Sequence, residues 1–293
     1  MTPRPVYGLM MLLAALACGR ASPSPTATTV VDDAGDSVAV RTPARRVVSL
    51  IPATTELLFA IGAGADVVGR STWCDYPAEA ARVPNLGDGI NPNVEAILAA
   101  RPDLVVLYNS AQHAAVSARL RGLGVPTLRI NTDRLADVGR VGRLLGDLTG
   151  RVRSADSLAA AFDTALAAAT VSRPEGRRPT VLLLVWEQPP MTIGRGSFLN
   201  ELVERAGGAN LFADVTASAG PVSIEAVAAR DPDFIFTTTD GPSSFARRPE
   251  WQVVRAVRDR RFLRVTGSEF NRPGPRSPAA IRELAERLRT AAR

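Results

Sequence analysis

The chain has 293 residues, 46% of them hydrophobic and 22% charged, with 23 Gly and 22 Pro, which excludes collagen-like, coiled-coil and disordered chains and predicts a packed core in one or two domains. At this length roughly 70 to 75% of the unfolded chain's surface is buried on folding, so a stapled mini-protein is excluded as well. The formal charge of +6 does not mark a nucleic-acid partner: all 35 basic residues are Arg, they are scattered, and the 5% of aromatic residues do not interleave with a basic stripe.

The first element in chain order is a targeting segment. Residues 1–17 carry Arg4 and then an apolar run from Val6 to Ala17, too short to span a bilayer and read as a secretion signal. Cleavage before Cys18 would leave that thiol as a lipidation site and place the protein outside the cytoplasm, periplasmic or at the cell surface. Cleavage by ordinary signal peptidase is the alternative. Residues 18–35 include the small, polar, Pro-rich stretch Gly19 to Thr29 and are expected to be a flexible tether. With Cys18 modified, Cys74 remains alone and no intrachain disulfide forms.

The body is two related halves, an N-terminal lobe over 36–133 and a C-terminal lobe over 174–293. VEAILAARPDLVVLY (94–108) aligns with IEAVAARDPDFIFTT (224–238), placing Glu95 on Glu225, Pro102 on Pro232 and Asp103 on Asp233 without a gap. In each copy a capping residue, Asn93 or Ser223, starts an acidic first turn, an apolar-periodic helix stops before the Pro, and β-formers follow. A second echo pairs residues 54–68 with 199–213, each preceded by an apolar strand candidate, 46–51 or 181–186. This alternation predicts an α/β fold of two Rossmann-like lobes with parallel sheets covered by helices. Residues 134–173 carry Leu135, Val138, Val141, Leu145 and Leu148, then Leu158, Phe162 and Leu166, at helical spacing without Pro, and predict one long linking helix. Its glycines at 139, 142, 146 and 150 mark close packing or a break. The ligand cleft is expected between the lobes, at the strand carboxyl ends.

Enzyme classes drop out for want of parts. Without Lys there is no Walker A lysine and no Schiff base. His113 is the sole histidine and Cys18 and Cys74 the sole cysteines, too few for a zinc or two-histidine metal centre. No G-x-S-x-G elbow occurs, and Gly62-Ala-Gly64 follows a helix-like run, not a strand. No catalytic residue, metal site or catalytic cofactor is therefore assigned. A bilobal α/β enzyme is an alternative only if perturbed acid and base groups face each other across the cleft.

The string VVSLIPATTELLFAIGAGADVVGRSTWCDYP (47–77), the two helix-E/P-D units and NRPGPR (271–276) together resemble the periplasmic binding proteins of ABC importers for cobalamin and iron chelates, from about residue 36 to the end. The resemblance is closest to the cobalamin-binding branch. It implies two lobes bridged by one long helix and a surface glutamate on each lobe, here Glu95 and Glu225, docking onto arginines of a permease dimer driven by a separate ATPase. An acid in a helix's first turn also complements the macrodipole for about 0.3 to 1 kcal/mol, which explains the residue type but not its identical placement in both halves. The implied protein is a monomer that captures cobalamin or a related corrinoid, touching the membrane only through its lipid anchor. A ferric siderophore or haem carrier is the alternative within the class, and a surface lipoprotein using the glutamates for another partner lies outside it.

Ligand-contact candidates follow the strand ends: Pro52, Ala53, Thr54, Trp73, Tyr76, Tyr108, Asn109, Trp186 and Arg272. Flat aromatic planes and a few donors suit the faces and amide edges of a corrin ring. Trp73 and Tyr108 match positions where the resemblance implies ligand contact. Arg70, Arg195 and Arg272 suit anions, and two or more of them in the cleft would favour an anionic siderophore. His113 is expected at the surface, Cys74 as a buried thiol and Trp251 as a structural residue. Family members often carry a further Trp before the first docking helix; the stretch from Leu86 to Ile90 has none.

Overall fold

A computed structural model of the chain describes residues 26–172, 177–237 and 244–291. Residues 1–17, expected to be a secretion signal, and Cys18 lie outside the described residues, and among those described no helix is long and apolar enough to cross a membrane.

The N-terminal lobe opens on strands β1 (Thr26–Val31) and β2 (Ser37–Thr42), then β3 (Val47–Ser49), α1 (Pro52–Ala60), β4 (Val67–Arg70), α2 (Val94–Ala99), β5 (Leu104–Tyr108), α3 (Ala111–Gly122) and β6 (Thr127–Ile130). Strands β3 to β6 form an all-parallel sheet in the order β4-β3-β5-β6. Next come α4 (Leu135–Thr149) and α5 (Val152–Ala169). The C-terminal lobe has β7 (Thr180–Glu187), β8 (Pro190–Ile193), α6 (Phe198–Arg205), β9 (Ala209–Asn210), β10 (Ala219–Pro221), α7 (Ile224–Arg230), β11 (Phe234–Thr237), α8 (Arg255–Arg258), β12 (Phe262–Arg264) and α9 (Ser277–Ala291). Its parallel strands run β9-β7-β11-β12, the same order as the first lobe. The repeat legible in the sequence is thus a repeat of topology. The second sheet is mixed, because β8 and β10 add an antiparallel ribbon beside β7.

Two expectations are corrected. The tether predicted over 18–35 ends by residue 26: Thr26–Val31 pairs antiparallel with Ser37–Thr42, so the lobe starts before residue 36. β-branched Thr and Val supply the strand, and Gly35 at φ 85° closes the turn. Asp32 secures that turn by accepting from the N–H groups of Ala34, Asp36 and Arg129. The linking segment predicted as one helix over 134–173 is two, because Gly150 adopts the left-handed conformation (φ 71°) and terminates α4. The pairs Gly139 with Ala159, Arg143 with Asp156, and Gly146 with Ala155 run in opposite chain directions, so α4 and α5 form an antiparallel hairpin. A Cβ on Gly146 would lie 2.4 Å from that of Ala155, which explains the glycine as a site of close helix approach.

The strands read as continuous apolar runs because both faces are covered, and the period of two divides each run between two cores. Val47, Leu104, Val106, Val181, Leu183, Phe234 and Phe236 face an inner core that includes Leu145 and Phe162 of the helical hairpin and is continuous through both lobes. Val48, Val105 and Leu107 face an outer core of the first lobe with Val94, Ile97 and Leu120. Leu182, Leu184 and Ile235 face the corresponding outer core of the second, with Val227, Phe245 and the fully buried Trp251.

The repeated Pro-Asp units have a common task. Arg101 and Asp231, each preceding the proline, take left-handed φ values of 46° and 45°. The carboxylate that follows then reaches back to the first strand of its own sheet. Asp103 accepts from the N–H groups of Arg45 and Arg46 at 2.8 and 3.0 Å, and Asp233 from the N–H and hydroxyl of Thr180 at 2.7 and 2.9 Å.

Candidate functional site

The carboxyl ends of both sheets open onto one groove between the lobes. A cavity of about 540 Å³ there is walled on one side by Ile51, Pro52, Ala53, Trp73, Asp75 and Tyr108, and on the other by Thr266, Ser268 and Arg272. A second cavity of about 400 Å³, bounded by Val185, Phe198 and Phe270, shares Thr132, Asp133, Asn271 and Pro273 with the first, so the two are parts of one cleft. Strand ends supply this wall for a topological reason: in parallel sheets the connecting loops gather at that edge.

Of the residues expected there, the structure brings together Pro52, Ala53, Trp73, Tyr108 and Arg272. Trp73 is 61% exposed and offers a free indole face. The Tyr108 hydroxyl donates to Asp133 Oδ1 at 2.7 Å. Burial pushes the phenol up to about 12, with the Asp133 carboxylate acting in the same direction, so it stays protonated and neutral. Arg272 is largely spent within the protein. Its guanidinium pairs with Asp75, reaches Ser268 Oγ at 3.3 Å and lies 3.6 Å from Glu56 Oε2, while its buried Nε has no hydrogen-bond partner.

Four expected contacts lie elsewhere. Thr54 is fully buried, its hydroxyl 2.7 Å from Ser49 Oγ and 3.0 Å from Ile51 O; it pins the start of α1. Asn109 turns its amide to Asp33 O and holds the β1–β2 ribbon. Tyr76 sits under the Arg276 guanidinium, 3.8 Å from the ring centroid, a cation–π support. It lines a separate groove with Phe59 and Pro275. Trp186 is exposed and donates to Gln188 O, and its neighbour Val185 faces the cleft instead.

The remaining candidates resolve simply. Arg70 binds the backbone carbonyls of Ala80, Ser71 and Ala81, and Arg195 lines a different crevice, so Arg272 alone of the three arginines lines the cleft. His113 is buried, not at the surface, with Nδ1 2.9 Å from Tyr108 O and Nε2 2.9 Å from Gly89 O. Cys74 is a buried free thiol between Thr55 and Ser71.

Sequence reasoning missed the acids. Asp75 and Asp133 both line the cleft, and applying the strand-end rule to β6 would have found Asp133. It also missed the ion cluster behind the cleft wall. Glu56, 2% exposed on α1, accepts two hydrogen bonds from Arg276 of the other lobe at 3.0 Å each. Arg276 in turn pairs with Glu269. A buried carboxylate needs such a partner, and here the partner ties lobe to lobe.

Glu95 and Glu225 are exposed in the first turns of α2 and α7, behind the caps Asn93 and Ser223. Each helix leads by a short turn into a strand and so runs against it. Its N-terminus therefore stands at the carboxyl edge, on the cleft side of its lobe. Hydrogen bonding to each residue's own N–H at the helix start lowers both carboxyls below their usual range, aided by Arg119 at Glu95 and by the Ser223 hydroxyl at Glu225. Among the described residues only Glu95 of the two has an ion-pair partner, Arg119 at 2.9 Å.

The chain is 31% identical over 271 residues to the uncharacterized ABC transporter substrate-binding lipoprotein YvrC of Bacillus subtilis, covering 89% of this chain and 85% of that one. Among solved structures it is similar to the periplasmic vitamin B12 binding protein BtuF of Vibrio cholerae, with a TM-score of 0.73, 27% identity and coverage of 86% and 99%. It is equally similar to the periplasmic heme-binding protein RhuT of Roseiflexus sp. RS-1, with a TM-score of 0.74, 27% identity and coverage of 85% and 99%. Residues 47–268 match the periplasmic binding protein family, and with two sheets of common strand order facing one groove, the chain belongs to that family.

Proposed function

We propose that this protein works outside the cytoplasm, captures cobalamin or a related corrinoid in the inter-lobe cleft and presents it to an ABC importer, without chemistry of its own. The observation that carries the choice of ligand is the character of the cleft's polar groups. A haem carrier gains from a protein ligand to iron, and the two candidates here are otherwise engaged: Tyr108 is held as a neutral phenol by Asp133, and both nitrogens of His113 lie against backbone carbonyls. An anionic siderophore gains from free cations, whereas the sole arginine lining the cleft among the described residues is paired with Asp75, and Asp133 adds a second carboxylate. A corrinoid brings its own cobalt ligation, amide edges that match Asp, Asn and Tyr, and apolar faces that match the exposed Trp73 and Val185. In this reading Glu95 and Glu225 are the anionic knobs that register the two lobes on a permease dimer, and Cys18 carries the lipid that keeps the protein at the membrane.

The test is titration of the purified protein with cyanocobalamin, ferric siderophores and haem, followed by visible absorbance and heat. Binding of the corrinoid at about micromolar or tighter, with none of the other two, is expected. Tight binding of haem with an iron–tyrosinate absorption band would transfer the assignment to haem, and silence toward all three would end it.

A further inference from the structure

A second concavity, of about 470 Å³, lies outside the cleft against α6 and is lined by Arg134, Arg178, Arg195, Arg205, Asn200 and Glu201, among others. Its polar groups are unbalanced. Glu201 is spent, accepting from Arg134 and from the N–H of Leu135, which removes one cation and one anion together. Arg178 uses Nη2 on the carbonyls of Glu204 and Gly208, and Arg205 uses Nη1 on Thr170 Oγ1. The Arg195 side chain has no partner among the described residues and is exposed. Among the described residues, three guanidiniums therefore retain unused N–H donors around one hollow, against one unengaged carboxylate, that of Glu204, at its rim.

The floor of the hollow points the same way. Asn200 is 3% exposed, and a chain of amides fixes how it sits. Asn210 Oδ1 accepts from the N–H of Phe212, so Asn210 Nδ2 is the group that donates to Ile193 O and to Asn200 Oδ1. Asn200 Nδ2 is thereby turned away from Asn210, and it has no hydrogen-bond partner among the described residues. The amide therefore keeps unused donors where Asn200 lines a hollow rimmed by arginines.

We propose that this crevice binds a small multivalent oxyanion, of the phosphate or polycarboxylate class, with the Asn200 Nδ2 amide as a neutral donor and the Arg195, Arg178 and Arg205 guanidiniums as its charged rim. The geometry suits planar forks on oxyanion edges. The site is independent of the cleft and of what the cleft carries.

Pyrophosphate and citrate titrated into the purified protein at constant ionic strength test it. Saturable binding of about one anion per chain is expected, weakened about tenfold or more by Arg195→Gln combined with Arg205→Gln. Asn200→Asp keeps the acceptor that Asn210 needs, replaces the donor with an anion, and should abolish binding; if that variant does not fold, the double arginine variant decides alone. Arg272→Gln should leave the anion's affinity unchanged. Absence of saturable binding overturns the proposal, as does binding lost in Arg272→Gln and kept in the arginine double variant. Co-sedimentation with phosphatidylglycerol vesicles, with and without pyrophosphate, identifies the source: competition marks a lipid headgroup, and no vesicle binding marks a soluble anion.

Discussion

The two lobes share strand order, helix caps, a left-handed residue before a proline and a backward-reaching aspartate, yet they contribute different chemistry to the cleft. The first lobe supplies Trp73, Tyr108, Asp75 and Asp133, the second Arg272, Asn271, Val185 and Phe270. What the repeat holds constant is the frame that orders the sheets; what varies is the loop after each strand, where no packing rule constrains the side chain. The rims differ too, since Glu95 pairs with Arg119 while Glu225, among the described residues, is held by its own backbone N–H and the Ser223 hydroxyl.

The largest effect should come from the rims. Glu95→Arg with Glu225→Arg is expected to lower uptake about a hundredfold or more while cleft affinity stays within about twofold. Of the single changes Glu225→Arg should be the more severe, because Glu95 already spends part of its charge on Arg119. Undiminished uptake by the double variant would remove both glutamates from docking.

Next in size are the cores. Trp251→Ala opens the outer core of the second lobe and should cost about 3 to 5 kcal/mol, splitting the calorimetric transition as that lobe melts first. Leu145→Ala, in the interior common to both lobes, should cost about 2 to 5 kcal/mol and shift one undivided transition. A single symmetric transition in both variants would show that the outer cores do not separate the lobes.

The paired aspartates come third. Burial opposes ionisation of Asp233, but the Arg177 guanidinium and the Thr180 N–H and hydroxyl outweigh it and bring the carboxyl down to about 2. A depressed value means stability that is complete above the ordinary carboxylate value near 3.8 and is lost as pH falls through about 2. Asp233→Asn should therefore cost about 2 kcal/mol at neutral pH and flatten the acid limb of the stability profile. Asp103→Asn, whose carboxylate serves two backbone N–H groups alone, should cost about 1 kcal/mol. Equal costs would mean that the extra partners of Asp233 contribute nothing.

The smallest effect is expected at the cleft wall. Tyr108→Phe removes one hydroxyl already satisfied by Asp133 and should weaken corrinoid binding about fivefold, or about 1 kcal/mol, with melting unchanged within a few degrees. A loss of a hundredfold would make the phenol a direct ligand of the cargo's metal.

Periodicity made the frame legible. The aligned Glu, Pro and Asp of the two halves, the apolar runs of β5 and β11, and the Asn93 and Ser223 caps each follow from a local rule, and all stand where those rules put them. The helix break at Gly150 was signalled by glycine but not decided by it, since Gly139, Gly142 and Gly146 continue the same helix without a break. Strand-end reasoning found Pro52, Trp73 and Tyr108 because they abut β3, β4 and β5. It misplaced Thr54 and Asn109, because a residue one step further along turns into the protein. Asp75, Asp133 and Glu56 were not legible: a lone acid in a loop or a helix carries no periodic signature, and only the fold reveals which cation faces it.

The continuous interior has a mechanical corollary. Halves that melt into a common fatty seam, stitched at the back by Arg276 on Glu56, cannot swing like a flytrap; scattering envelopes of empty and filled protein should nearly superimpose. If a transporter docks on both rims as proposed, it would extract its passenger by prying, stretching the stitch until the groove loosens, and Glu56→Gln should make that release easier.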